Sequence, residues 1–375
     1  MNVHEFAYYS KFECTKQNCP YTCCRGWKIL VDEEAKAKIK ALPGSFGRSL
    51  RRGLMQKDGL TVLRQKHSFC PFLTDEKICK IQATLSEDYM PYACVLFPRI
   101  RTNSGLFAEE SLSLGCPEVV KLFLHHLEEL TFHNVEKEVT YACTGSNGEY
   151  GFLSALTGIR TSLCKAVANR AYTREHLYSA LLCYGQRLQQ YYVQSGMPEE
   201  LCPKKPVFLP SLEEILEKEK ETFSLSVSDI DHMMTGGFYH KGLRKASPPL
   251  YELCLEYFRT FDSRSLENAQ NHMELLINNL HSAHPGMEKI TRGILVCFLQ
   301  MRLLETYENY SFLRFLRLAV MHTQLLELLI ALYYEKHHSL KEEELMVLIS
   351  VYHRRGSHNP NVENGMYDAV FSSVT

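Results

Sequence analysis

Four cysteines lie within eleven positions of this chain, in the segment FECTKQNCPYTCCRGW (12–27). Four more follow up to residue 116, whereas the remaining six are scattered singly over the rest of the 375 residues. Thiols at this density cross-link, bind a metal or carry out redox chemistry. The first residues, MNVHEFAYYSKFEC, lack the basic and apolar regions of a signal peptide, so we expect a cytoplasmic protein with reduced thiols. Disulfides are then a poor explanation, and the pattern favours a metal site.

The spacing of the first eight cysteines bears on which metal they bind. They form C-x4-C-x3-CC, then C-x8-C-x14-C, and a last cysteine after 21 further residues. Structural zinc prefers paired C-x2–4-C ligands, and no clean second pair is present. Iron–sulfur clusters accept irregular spacings because their iron corners spread over a larger volume. We therefore predict an iron–sulfur cluster, with zinc as the alternative, and the candidate ligands are Cys14, Cys19, Cys23, Cys24, Cys70, Cys79, Cys94 and Cys116.

The other six cysteines are interpreted as small buried apolar residues, because each stands alone, several within apolar helical patterns. They are Cys143, Cys164, Cys183, Cys202, Cys254 and Cys297.

The composition excludes several classes of partner. The chain is 45% hydrophobic and 23% charged, with a formal net charge of -1, which predicts a folded core. This balance provides no global electrostatic attraction to nucleic acid or to an anionic membrane. No uninterrupted apolar run approaches the roughly 20 residues that a bilayer requires. We therefore predict neither a nucleic-acid nor a membrane partner.

The patterning predicts a mainly α chain: an irregular, Cys-rich, metal-binding N-terminal domain (1–125) followed by an all-α helical bundle (126–355). The N-terminal part reads as loops and turns, with a short strand at WKILVD (27–32) and a helix capped by Asp32. The helical part carries a Pro-rich linker at 196–210, and 356–375 is a weakly specified tail.

Two capping pairs and one apolar segment support the helical bundle. Ser211 pairs with Glu214, and Ser339 pairs with Glu342, each in the pattern of a capping box. The segment 311–335 is apolar on most faces, which predicts the enclosed central helix of the bundle.

The cysteine segments carry a family resemblance through their flanking residues. FxCxxxxCxxxCCRGWxIxxD, CPFL…CKIQ, ACxxFPR and SLSLGCPE, over roughly 12–120, resemble the flagellin lysine-N-methylase family. That family stands within a wider group of proteins described as zinc- or iron-chelating through a CxxCC-type motif. In the helical part, the resemblance rests on YHRRGSHN (352–359) and on the generally helical character of this region.

The resemblance implies an S-adenosylmethionine-dependent methyltransferase with a [4Fe-4S] cluster, acting on lysine side chains of flagellin or of another lysine-bearing surface protein. A Rossmann site for the cofactor is not expected, because no convincing strand precedes the Gly-rich segment TGSNGEYG (144–151). The alternative is a non-enzymatic zinc- or iron-binding module or scaffold.

Transfer of a methyl group to lysine requires a neutral amine, and therefore a base or a desolvating pocket. The sequence does not identify the catalytic residue. The cofactor-binding candidates are Trp27 and Arg99. Alternatively, Trp27 is a core side chain packed on the cysteines, and Arg99 forms a structural ion pair. The catalytic candidates are Arg99, Glu110 and Tyr92, with Glu109, Glu118 and Asp32 as further acidic groups near the cysteines.

Overall fold

A computed structural model describes residues 2–141, 150–195, 211–218, 220–240, 242–309 and 311–371. Most of these residues are helical, which confirms the prediction of a mainly α chain. The helices are α1 (Glu33–Ala41), α2 (Gly44–Arg52), α3 (Lys80–Thr84), α4 (Tyr92–Leu96), α5 (Pro117–His125), α6 (Tyr150–Ala168), α7 (Arg174–Ser195), α8 (Leu212–Lys218), α9 (Val227–Met233), α10 (Leu243–Ala246), α11 (Pro248–Phe261), α12 (Leu266–Ala283), α13 (Met287–Arg302), α14 (Thr306–Asn309), α15 (Phe312–His337), α16 (Glu342–Arg355) and α17 (Pro360–Phe371).

A four-stranded sheet joins three strands of the N-terminal part, β1 (Asn2–Phe6), β4 (Arg99–Asn103) and β5 (Ala108–Leu112), to β6 (Phe132–Glu136). The description of the N-terminal part as irregular therefore needs correction, and so does the prediction that 126–355 is all-α. The strand order is β4-β5-β1-β6, with β1 parallel to β5 and the other neighbours antiparallel. The sequence hides β5 because its buried positions include Glu109 and Glu110. Arg160 pairs with Glu109, and Lys137 pairs with Glu110, so these carboxylates are stabilised inside.

A separate hairpin consists of β2 (Leu54–Lys57) and β3 (Leu60–Leu63). Its two-residue turn is Asp58-Gly59, and both residues have positive φ, the conformation that a type I′ turn demands. The strand predicted at WKILVD is wrong: this segment is extended beside β3 but makes only an isolated bridge, between Leu30 and Val62.

Two hydrophobic cores divide the described residues. The smaller is built between residues 24 and 94, which we call the thiol unit, and centres on Ile39, Leu50 and Ile81. The larger contains side chains of helices α6 to α17 and also Phe6, Leu112 and Phe123 from β1, β5 and α5. The sheet therefore packs with the helical bundle, and the thiol unit is an insertion between β1 and β4.

Helix α15 is the central helix of the bundle, as predicted, since most of its residues are buried and it contacts α7, α11, α12, α13 and α16. Its length and apolar composition would also suit a membrane span, but 89% of its most apolar stretch is buried inside the protein. This burial is expected for the core helix of a bundle.

The capping predictions have different outcomes. Ser211 and Glu214 exchange reciprocal hydrogen bonds at the start of α8 (3.1 Å each), as predicted. The pair Ser339 and Glu342 is wrong, because α16 begins only at Glu342 and the Lys341 backbone N–H donates to Glu344 (2.6 Å).

Helix α17 lies within the segment 356–375, for which the sequence predicts little structure, and it buries Val362 and Met366. It packs against Gly236, where a methyl group at Gly365 would come within 2.4 Å of the Gly236 carbonyl oxygen. The linker 196–210 and nearly all of TGSNGEYG (144–151) lie outside the described residues.

Candidate metal centre

All eight N-terminal cysteines line one cavity of about 420 Å³ at the edge of the thiol unit. They come from five separate pieces of the chain, and the two cores described above supply its walls. The sequence predicts that these cysteines converge, and the structure places every one of them around the same space.

Short local elements position the first four thiols. Cys19 ends a single 3-10 turn (Lys16–Asn18), and Cys23 and Cys24 lie in the turn before Trp27. The Trp27 indole Nε1 donates a hydrogen bond to the Cys23 carbonyl oxygen (2.6 Å), which fixes the turn. Such irregular backbone is held by its side chains because it lacks a regular hydrogen-bond ladder.

The other four thiols are carried by the starts of helices and by a loop tied to the first group. The Cys70 backbone N–H donates to the Cys24 carbonyl oxygen (2.8 Å). Cys79 precedes α3, Cys94 lies within α4 and Cys116 precedes α5. Each thiol is therefore attached to a defined element.

The charge interactions divide most of the thiols into two neighbouring groups. One contains Cys23, Cys70, Cys79 and Cys94, and the other contains Cys19 and Cys116. Burial, with Cys79 and Cys23 nearby, raises the pKa of Cys70 to about 11. The Cys94 pKa is also raised, by burial and then by Cys70, Cys23 and Cys79. Burial, opposed by local N–H groups and reinforced by Cys19, raises the pKa of Cys116 to about 12. Thiolates packed this closely need a positive charge between them to be stable.

The donor set suits a soft metal. None of the described cysteines forms a disulfide, and thiolates are the ligands that zinc and iron–sulfur clusters prefer. In the described part of the chain, no three His, Cys, Asp or Glu side chains are already arranged to hold a single ion. The eight thiols instead surround the cavity without forming a ready-made site for one ion.

The four scattered cysteines that the structure describes lie away from this cavity. Cys164, Cys254 and Cys297 are buried in the large core, and Cys183 packs against it. None of these four lines the cavity. Cys143 and Cys202 lie outside the described residues.

Three of the other candidates line the same cavity. Arg99 is the first residue of β4, which follows α4 in the chain. Its guanidinium carbon lies 5.2 Å from the centre of the Phe12 ring. Trp27 stacks edge-to-face on Phe97, with ring centres 4.7 Å apart. Glu118, in the first turn of α5, also contributes to the lining.

The remaining candidates do not line it. Glu110 points into an ion-pair network with Arg101 and Lys137, and Glu109 pairs with Arg160. Tyr92 is 53% exposed, and its side chain is absent from the lining. Asp32 caps α1 by accepting from Ala35 N–H (2.9 Å) and also accepts from Tyr92 N–H (2.7 Å), so it joins α1 to the helix that carries Cys94.

Sequence reasoning missed Arg354, which reaches the cavity from the last turn of α16. The sequence feature that could have indicated Arg354 is the segment YHRRGSHN. However, no local pattern connects this segment to cysteines more than 200 residues away. His358 of the same segment hydrogen-bonds Ser113 (2.7 Å), just before Cys116.

Curated proteins give an independent comparison. Over 137 residues, the chain is 29% identical to the flagellar biosynthetic protein FliU of Salmonella muenchen, which covers 33% of this chain and 78% of that protein. Lysine-N-methylases of Salmonella typhimurium and Salmonella choleraesuis match with the same identity and the same share of this chain. Over this third of its length, the chain is similar to proteins named lysine-N-methylase. The family resemblance seen in the sequence is thereby confirmed.

The match has a limited extent. It spans 33% of the length of each lysine-N-methylase. No family model matches the chain, and no solved structure does. The wider CxxCC-type group stays a prediction.

Proposed function

We propose that this protein is an S-adenosylmethionine-dependent lysine N-methyltransferase that acts on flagellin and holds a [4Fe-4S] cluster with its N-terminal cysteines. The observation that carries the proposal is the convergence of all eight cysteines on one cavity, in a relative of proteins named lysine-N-methylase. A methyltransferase role follows from those names at modest identity; the cofactor, the cluster and the substrate are the proposal.

The shape of the thiol arrangement favours a cluster over a single zinc ion. Eight thiols surround a volume of about 420 Å³, and no tetrahedral group of ligands is already assembled among the described residues. A cubane spreads its four iron corners over a larger space than one ion occupies. When bound, such a cluster would supply Lewis-acid chemistry toward the amino and carboxylate groups of S-adenosylmethionine, and the cavity cysteines would hold it.

Arg99 and Trp27 are the residues that we assign to the cofactor. Arg99 lines the cavity and has no carboxylate partner among the described residues, so its guanidinium is available to bind a carboxylate bidentately. Trp27 lines the same cavity, and an indole ring there can stack on a heteroaromatic base or on a sulfonium.

Glu118 is the proton acceptor that we assign. The lysine amine must lose a proton before its lone pair attacks the sulfonium methyl group; the sulfur–methyl bond then breaks and S-adenosylhomocysteine leaves. Glu118 lines the cavity and makes no ion pair with another described residue, unlike Glu109 and Glu110. A carboxylate that is not engaged in a salt bridge can accept the proton.

The test is incubation of anaerobically purified protein with S-adenosylmethionine and the host's flagellin, followed by intact-mass measurement. Mass steps of one methyl group support the enzyme. Unchanged flagellin contradicts it, and methylation of another surface protein would replace the substrate only.

Variants sharpen that experiment. Arg99→Gln should raise the KM for S-adenosylmethionine by roughly 10- to 100-fold, the cost of losing charge-assisted hydrogen bonds. Arg64→Gln, an exposed arginine of the thiol unit away from the cavity, is the matched control and should leave KM unchanged. Absorption near 400 nm separates a cluster from colourless zinc, and a brown protein that methylates nothing would favour the non-enzymatic metal module.

A further inference from the structure

Arg354 connects three segments of the chain at the thiol cavity. Its Nε donates to the Gly115 carbonyl oxygen (2.5 Å), and its two terminal nitrogens donate to the carbonyl oxygens of Thr22 (2.8 Å) and Tyr21 (2.9 Å). Thr22 directly precedes Cys23, and Gly115 directly precedes Cys116. One guanidinium from the helical bundle therefore fixes the backbone beside thiols of both groups.

The charge of Arg354 has no carboxylate partner among the described residues. The residue is only 5% exposed, and all its hydrogen-bond acceptors are neutral carbonyl oxygens. Burial lowers the pKa of Arg354, whereas the nearby thiols of Cys23 and Cys116 raise it. A buried cation is costly unless an anion compensates it. Of the groups beside it that can become negative, the thiols of Cys23, Cys116 and Cys19 ionise more easily than the Tyr21 phenol, because the ordinary pKa of cysteine is lower than that of tyrosine.

The surroundings hold the side chain in this position. The guanidinium carbon lies 5.1 Å from the centre of the Tyr21 ring and 5.4 Å from that of Trp27. A methyl group at Gly115 would meet Arg354 Cγ at 3.2 Å, so glycine is what permits the close approach. The two aromatic rings and the close backbone at Gly115 restrict the guanidinium to this position.

We infer that Arg354 is the positioning residue of the thiol site: it holds the Cys23 and Cys116 segments at the cavity and supplies the buried positive charge that an anionic metal–thiolate centre requires. This inference rests on the proposed metal site but not on methyl transfer. It makes the last turn of α16 part of the centre, although the turn is more than 200 residues from the nearest of these cysteines in sequence.

The experiment compares three variants of the full chain. Arg354→Gln removes the charge, Arg354→Lys keeps the charge but loses the planar fork, and Arg355→Gln is the control. Arg355 is the next residue on α16, and its guanidinium does not line the thiol cavity. Each protein is reconstituted anaerobically with ferrous iron and sulfide, and separately with Zn²⁺ alone, and bound metal is counted per chain. The rate at which iodoacetamide alkylates each cysteine of the apo-protein is measured by peptide mass spectrometry.

We expect Arg354→Gln to weaken metal binding by about 10- to 100-fold, the usual cost of losing an outer-shell partner. Cys23 and Cys116 should be alkylated faster than in the wild type, and Arg354→Lys should fall between the two in metal content. Any cluster that Arg354→Gln retains should have a more negative reduction potential, because a nearby positive charge has gone. Arg355→Gln should keep its metal. Unchanged metal content and alkylation rates in Arg354→Gln would overturn the inference, as would equal metal loss in Arg355→Gln.

A milder variant covers the case in which Arg354→Gln does not fold. Gly115→Ala should displace Arg354 by a few tenths of an ångström and produce a smaller change in the same direction; wild-type metal content and alkylation there would overturn the inference. Because neither readout needs S-adenosylmethionine or flagellin, failure of methyl transfer and failure of the Arg354 inference are separate results.

Discussion

The thiol unit and the helical bundle reach a folded state by different means. The bundle buries many apolar side chains around α15 in one continuous core, as large helical domains do. The thiol unit buries few, centred on Ile39, Leu50 and Ile81, and consists of the short helices α1 to α3, the start of α4, a hairpin and loops. Small units with so little core are usually stabilised by a metal or by cross-links. The comparison predicts that the cysteines are structural as well as chemical, because four of the eight lie within the thiol unit and all eight line the cavity at its edge.

Removing the metal should give the largest difference between the two regions. Chelation under reducing conditions should unfold the thiol unit, since metal–thiolate binding contributes on the order of 10 kcal/mol in small metal domains, and should leave the bundle helical. Limited proteolysis followed by mass spectrometry should then find cuts within 24–94 first. Cleavage there no faster than in the metal-loaded protein would contradict the comparison.

A pair of buried cysteines tests the same difference one residue at a time. Cys70→Ser, at the cavity, should lower metal per chain by at least tenfold, because a serine hydroxyl is a poor soft-metal ligand. Cys254→Ser, in the large core, should keep the metal and cost about 1–3 kcal/mol of packing. Metal analysis and denaturant titration of both variants measure this, and equal metal loss would place the centre in the wrong region.

Glu363 tests the bundle alone. It pairs with Arg302 (2.5 Å) and accepts from His322 (3.2 Å) in the buried interior. Glu363→Gln should cost about 3–5 kcal/mol of unfolding free energy by leaving Arg302 without its buried partner. Glu305→Gln, which removes an exposed carboxylate from the same arginine, should cost less than about 1 kcal/mol. Neither variant should change metal content.

The pH dependence of this pair has a defined sign. Burial alone would raise the pKa of Glu363, but hydrogen bonds from His322 and Arg302 outweigh it and lower the pKa to about 2. Because the folded pKa lies below the ordinary value, the pair contributes about 3 kcal/mol above pH 5, and this is lost as the pH falls toward 2. The stability gap between the wild type and Glu363→Gln should therefore narrow at pH 3, and a gap independent of pH would contradict the assignment.

The smallest effect concerns the link between α1 and the helix that carries Cys94. Asp32→Ala removes an N-cap and the acceptor for Tyr92 N–H, so the thiol unit should lose about 1–2 kcal/mol. Glu33→Ala changes an exposed position of the same first turn and should lower the stability of the thiol unit by only a small fraction of the Asp32→Ala effect. Hydrogen exchange of the two regions measures the change, and an Asp32→Ala effect spread equally over the bundle would refute the link.

Local patterns predict the bundle well and the N-terminal part poorly, for physical reasons. Helical periodicity is contained in a few turns, so the enclosed helix α15 and the Asp32 and Ser211 caps were accessible from sequence. The sheet was missed because β1 pairs with strands about 100 and 130 residues away, and because β5 buries glutamates that read as surface. Asp58-Gly59 between apolar runs was a usable hairpin signal.

The candidate site shows the same limit. The cysteine spacing predicted that the thiols converge, because metal ligands must meet, but it could not rank them or reveal which partners close the cavity. Arg354 comes from another region, and only the tertiary fold brings it to Cys23 and Cys116. Glu110 and Tyr92 stand close to motif cysteines in sequence, yet their side chains lie away from the cavity lining.

X-ray absorption at the iron edge, on anaerobically purified wild-type protein, tests most directly whether the N-terminal thiols hold a metal cluster. The first shell should contain sulfur, with iron–iron scattering beyond it, and the signal should vanish in Cys70→Ser but persist in Cys254→Ser. A protein without bound metal, a first shell dominated by nitrogen and oxygen, or a signal that survives Cys70→Ser would contradict the account.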